Sequence, residues 1–149
     1  MPEMLQLGGG VAVVKPDDGT VLRYSPNEVD MVRAFFSMLV FGQNEWAGKP
    51  FELSGWEEEA IRQFYGVQAQ DEDGSWSRYR RFLYEEIPKK NGKSEFAAGL
   101  GLYHLIADGE PRPQVGIFAA AKTNADIIYQ CAKFMVENTA LSQPEHDPL

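Results

Sequence analysis

The apolar residues Val29, Val32, Phe36, Leu39 and Val40 recur at intervals of three or four, which places them on one face of a helix. Just before them, Ser25-Pro26-Asn27-Glu28 has the form of a capping box. Serine caps the helix, glutamate three residues later bonds back, and proline in the first helical position gives up no needed N–H. Gly42 is expected to end this helix. The pattern returns at Ser54-Gly55-Trp56-Glu57, which predicts a second helix stopping at Gly66, with 44–50 as connecting chain between the two. The polar, glycine-containing run 68–77 reads as a loop.

Over 78–87 the spacing changes, and Tyr79, Phe82, Leu83, Tyr84 and Ile87 predict a strand. The following stretch, 94–107, is apolar nearly all round and predicts a helix covered on several sides. Gly99 and Gly101 inside it each cost about 1 kcal/mol relative to alanine, a loss that close packing against a sheet would offset. After Asp108-Gly109, residues 115–120 predict a short buried strand. Thr123 to Asp126 then cap a last helix with Ile127, Ile128, Cys131, Phe134 and Met135 turned inward. Strand, loop, helix, strand, helix is the order of a parallel α/β sheet with right-handed crossovers.

The junction between the first of these strands and its helix carries the chemistry. Ile87-Pro88-Lys89-Lys90-Asn91-Gly92-Lys93-Ser94 closes on Gly-Lys-Ser: a glycine where backbone must approach oxygens, an ammonium for β and γ phosphates, and a hydroxyl for magnesium. The full pattern GxxxxGK[ST] fails at its first position, where Ile87 stands. A bare Gly-Lys-Ser occurs by chance in many loops. A strand before it and a helix opening at its lysine are the context that makes nucleotide binding the favoured reading, because the helix N-terminus adds partial positive charge.

Composition narrows the classes. A chain of 149 residues with 44% hydrophobic content suits one ordinary domain with a core. The single cysteine, Cys131, has no internal partner, and no Cys/His cluster surrounds it, His104 or His146, so a reducing intracellular setting is the default expectation. No secretory leader or run of about 18 apolar residues is found, which predicts a soluble protein. A net charge of −8 argues against a chain that grips nucleic acid over its whole surface, while Arg78, Arg80, Arg81, Lys89, Lys90 and Lys93 concentrate positive charge around the loop.

With these residues in view, the chain resembles the N-terminal part of the large terminase subunit, the DNA-packaging ATPase and nuclease of tailed bacteriophages. Phe35-Phe36 through Gly42, Trp46-Ala47-Gly48-Lys49-Pro50-Phe51-Glu52-Leu53, and Trp56 through Phe64-Tyr65-Gly66 resemble the segment before that family's ATPase core. The loop is the most specific match, since terminases typically carry a deviant version with proline, a basic residue, asparagine and Gly-Lys-Ser. Ala119-Ala120-Ala121-Lys122 through Gln130 resembles the strand and helix that follow.

The resemblance implies an incomplete P-loop NTPase core, a parallel sheet with crossover helices, preceded by a mainly helical N-terminal segment. The expected division is a helical or adaptor segment over 1–52, a partial P-loop ATPase domain over 53–141 and a flexible tail over 142–149. ATP and magnesium are the implied cofactors. Lys93 would hold the β and γ phosphates, the amides of Asn91 and Gly92 would cradle them with Lys90 in the same loop, and Ser94 would ligate magnesium. Lys89 stands where the family more often has an arginine that senses the γ phosphate; lysine keeps the charge and loses the bidentate fork. Trp56 and Glu57 fall where the family reads adenine, although a glutamine usually follows the aromatic residue there, and Glu57 also completes a capping box with Ser54. Double-stranded DNA, the portal, the small terminase subunit and a homo-oligomeric ring are the implied partners, in the cytoplasm of a bacterial host.

No convincing acidic strand for hydrolysis is found. Phe82-Leu83-Tyr84-Glu85-Glu86 precedes the loop, and Leu105-Ile106-Ala107-Asp108 ends a helix, so no catalytic residue is assigned and nuclease carboxylates are missing. The expectation is a truncated ATPase, a gene fragment or prophage remnant that binds nucleotide weakly and does not turn it over at motor rates. A small P-loop kinase is the alternative enzyme, disfavoured by the absence of an arginine-rich lid, and a non-enzymatic interaction protein docking through Trp46, Trp56 and Trp76 is the other.

Overall fold

Val11 and Val13 alternate with Ala12 and Val14 and are buried, the pattern of a strand with one covered face. In the computed structural model, which describes residues 1–142, they belong to β2 (Val11–Val14), paired antiparallel with β1 (Met4–Gly8). The tight connection through Gly9 and Gly10 uses positive φ at both residues, 58° and 74°. β3 (Leu22–Tyr24) leads into α1 (Pro26–Ser37), and α2 (Gly55–Tyr65) is followed by β4 (Val67–Gln70) and β5 (Trp76–Arg78). β3, β4 and β5 form a second antiparallel sheet in that order, with Tyr24 opposite Val67 and Gln68 opposite Arg78. α3 (Lys93–Ile106) and α4 (Lys122–Glu137) complete the elements, with short 3-10 turns at Asn44–Trp46 and Ala140–Ser142. The class is mixed α and β, with two small antiparallel sheets and four helices among the described residues.

The chain divides into two compact units, each made of two stretches. Met1–Arg33 and Leu53–Glu86 form the first; Ala34–Glu52 and the described chain from Ile87 onward form the second. The expected 142–149 tail lies, Ser142 apart, outside the described residues.

In the first unit Val11, Val13 and Val67 make a core against which Leu5, Leu7, Leu22 and Tyr24 pack, and Val29, Val32, Ala60 and Ile61 are buried as well. The capping box of α2 is formed: the Ser54 N–H donates to Glu57 Oε2 at 2.7 Å, and the helix ends at Gly66 as its sequence predicts. Two expectations are corrected here. The N-terminal segment is not mainly helical, because residues before α1 form three strands. The run 68–77 is not one loop but parts of two strands around the turn 71–75, closed by Gly74 N–H to Asp71 O and Asp71 N–H to Ser75 O, both 2.9 Å. The polarity of Gln68 conceals a buried strand position whose side chain accepts a hydrogen bond from Arg23 Nε at 2.9 Å.

In the second unit α3 packs on α4, and aromatic rings fill the core: Phe35 meets Tyr103 edge-on at 5.6 Å, and Phe36 meets Phe51 at 5.1 Å and Phe96 at 5.5 Å. A Cβ on Gly99 would collide with the Phe36 ring, so this glycine is there for close approach, to a ring and not to a sheet. Gly101 has only Val115 Cγ1 at 3.5 Å, an ordinary contact. α1 ends at Ser37 instead of running to Gly42, its last turn tightening through Met38 N–H to Phe35 O and Leu39 N–H to Phe36 O. α4 starts after Ala121, without the side-chain cap expected from 123–126; Cys131 and Met135 are buried while Ile127 is exposed.

The strands expected over 78–87 and 115–120 are not formed beyond Arg78, and no parallel pair occurs among the described residues. The first stretch bonds to β4 only at its start, where the Tyr79 N–H donates to Val67 O at 3.0 Å, and from 80 to 87, as over 115–120, the β-rich composition meets no partner strand, and pairing is what makes a strand. Their large side chains stay in solvent: Phe82 is 92% exposed and Phe118 94%.

Candidate functional site

Gly92 takes a left-handed conformation, φ 77°, and stands as the N-cap of α3, so Lys93 and Ser94 are its first two residues. A residue with a Cβ rarely adopts this φ, which accounts for glycine at this point of the loop. The first-turn N–H groups of a helix have no acceptor within it, and the helix dipole places partial positive charge at the same end. Lys90 also has positive φ, 66°. Asn91 braces the turn from within, its Nδ2 donating to Pro88 O at 3.0 Å and Lys89 O at 3.3 Å, and Lys93 Nζ donates to the Ile87 carbonyl. Lys89, Lys90, Asn91, Gly92 and Lys93 are exposed and Ser94 is half-buried.

Lys90 through Ser94 line a cleft of about 1090 Å³ whose other lining residues include Gln43, Glu45, Trp46 and Glu52. The side that sequence reasoning missed comes from the connecting chain 41–52. That stretch has no periodic pattern and becomes part of a site only through tertiary contact. The contact is made by Glu95, buried in the first turn of α3, whose Oε2 accepts the Gly42 N–H at 2.9 Å. Burial pushes the Glu95 carboxyl above its ordinary value, partly offset by the backbone N–H groups of Gly42 and Gln43. Glycine suits this junction, since a Cβ there would lie 3.0 Å from both Cα and O of Cys131, closer than such contacts usually are.

The cleft residues all belong to the second unit, whereas Trp56 and Glu57 belong to the first. Glu57 is buried, and its carboxylate takes both the N–H and the hydroxyl of Ser54, at 2.7 and 3.0 Å. That is the arrangement of the helix cap.

For a magnesium ion, no group of three or more His, Cys, Asp or Glu that could hold a metal exists among the described residues. A magnesium carried on phosphate needs no such cage, because phosphate oxygens and water supply most of its six ligands. The Ser94 hydroxyl, beside Lys93 on the same cleft, fits that limited demand. No helix among the described residues is long and apolar enough to cross a membrane. Comparison with protein-family models, with curated proteins and with solved structures returned no match.

Proposed function

We propose that the chain binds the triphosphate of ATP on the loop 89–94, and that it is an N-terminal part of a phage terminase large subunit, the ATP-binding portion of a motor that packages viral DNA. The observation that carries this reading is the left-handed Gly92, which starts α3 at Lys93 and Ser94 beside an open cleft. In this reading Lys93 leaves the Ile87 carbonyl to reach the β and γ phosphates. The amides of Asn91 and Gly92, with the N-terminal end of α3, face the phosphate oxygens. Lys89 and Lys90 add positive potential on the loop. Ser94 would hold magnesium, which would neutralise phosphate charge. The parallel P-loop sheet belongs to the same proposal. Its support is an apolar groove lined by Ala97 and Leu105 of α3, Ile128 of α4, and Val115 and Phe118 of the chain between the helices, which suits the face of a sheet. DNA, the portal, the small subunit, a ring of copies and the bacterial cytoplasm follow from the family reading. Hydrolysis at motor rates does not, because it requires acidic residues that the sequence does not supply in the expected place.

Titration with a fluorescent ATP analogue in the presence of magnesium tests the proposal. Saturable binding that weakens at least tenfold in Lys93→Ala is expected, with Ser94→Ala losing chiefly the magnesium-dependent part. Equal binding by the native chain and Lys93→Ala would overturn it.

A further inference from the structure

Phosphate binding uses only the loop side of the cleft and leaves the side formed by 41–52 without a task. We propose that this second side receives the nucleoside end of the ligand, with Trp46 as the platform on which the base stacks. The inference rests on the nucleotide-binding reading and adds where the base lies.

Trp46 is 53% exposed and lines the cleft, yet its ring is held in place. The Lys49 ammonium sits 4.5 Å from the indole centroid, and Phe41 meets the ring edge-to-face at 6.3 Å. The turn that carries it is closed by Phe41 N–H to Lys49 O at 2.9 Å, Gly48 N–H to Phe41 O at 2.8 Å and Ala47 N–H to Asn44 O at 3.2 Å. Glu95 then ties the base of this turn, through Gly42, to the helical turn that contains Lys93 and Ser94. Stacking platform and phosphate loop are thereby set relative to each other before any ligand arrives, which lowers the ordering cost of binding.

Charge orients the ligand. Lys90 and Lys93 line the loop side and Glu45 and Glu52 the other, where the single cation, Lys49, lies against the Trp46 ring and is not among the lining residues. A triphosphate is drawn to the lysines and repelled by the glutamates, whereas an uncharged base and ribose meet no such penalty at Glu45 and Trp46. The ligand that fits is a polyanion with a neutral aromatic end, a nucleoside triphosphate rather than an inorganic anion, and a cleft of about 1090 Å³ has room for all of it. Stacking tolerates any base, so ATP and GTP should differ little.

Calorimetric titration of the native chain, Trp46→Ala, Trp46→Phe and Lys93→Ala, with magnesium ATP and with inorganic tripolyphosphate, tests this. Trp46→Ala should weaken ATP binding roughly 5- to 100-fold and leave tripolyphosphate unchanged, with Trp46→Phe restoring most of the loss. Lys93→Ala should weaken both. If Trp46→Ala binds ATP as tightly as the native chain while Lys93→Ala does not, the platform is wrong and the phosphate loop stands. If Trp46→Ala loses tripolyphosphate in step with ATP, its effect is on the fold of the loop and the platform is again wrong. If Lys93→Ala alters neither ligand, both readings fall.

Discussion

Glu95 joins the two sides of the cleft at the cost of burying a carboxylate, and this makes it a residue whose protonation matters. Its folded-state pKa is raised, so the folded chain holds this proton more tightly than the unfolded one. Such a group lowers stability as pH rises through the region just above the ordinary glutamate range, and the loss persists at neutral pH. Glu95→Gln keeps an oxygen for the Gly42 N–H and removes the buried charge. The expected outcome, read by thermal unfolding between pH 4 and 7, is a variant at least as stable as the native chain at pH 7, with its stability relative to the native chain rising from pH 4 to 7. Glu95→Ala removes the acceptor too and should cost about 1–3 kcal/mol. A native-like Glu95→Ala would show that the Gly42 bond does not hold the junction. At this scale the loop was legible in sequence, since Gly92, Lys93 and Ser94 announce their conformation and chemistry locally. Trp46 and Glu95 as walls of the same cleft were not, because what unites them is a hydrogen bond across 53 residues.

The elements divide along the same line. Helices with local signals appear where expected: α2 from its Ser54–Glu57 box to Gly66, and α3 from the lysine onward. Strands did not follow composition. The β-rich 80–87 and 115–120 form no strand, while polar Gln68 and Gln70 sit in one, because a ladder depends on a partner that sequence spacing cannot name. The two glycines of α3 give this a sharp test, since helix propensity treats them alike and packing does not. Gly101→Ala should stabilise by up to about 1 kcal/mol, having room for its methyl group. Gly99→Ala should destabilise by about 1–3 kcal/mol, because the buried Phe36 ring must move. Chemical denaturation of both variants measures the difference, and equal shifts in the same direction would refute the packing account.

At the scale of the whole chain, two units are each assembled from separated stretches, so neither coincides with a continuous half of the sequence. Every side chain that lines the cleft falls in the second, in which Cys131 is fully buried beside Gly42. Burial, and then the Glu95 charge, push its thiol up to about 12. Thiolate is the reactive form, and burial both hides this sulfur and disfavours its ionisation, so alkylation must wait for this unit to open. Cys131 is the chain's only cysteine, which turns it into a clock for that opening, wound by the fold and read by mass spectrometry without any introduced label. Ligand bound in the cleft should slow the clock by the factor one plus ligand concentration over Kd. An alkylation rate unmoved by saturating magnesium ATP, in a chain shown to bind it, would mean that the second unit opens without releasing its ligand.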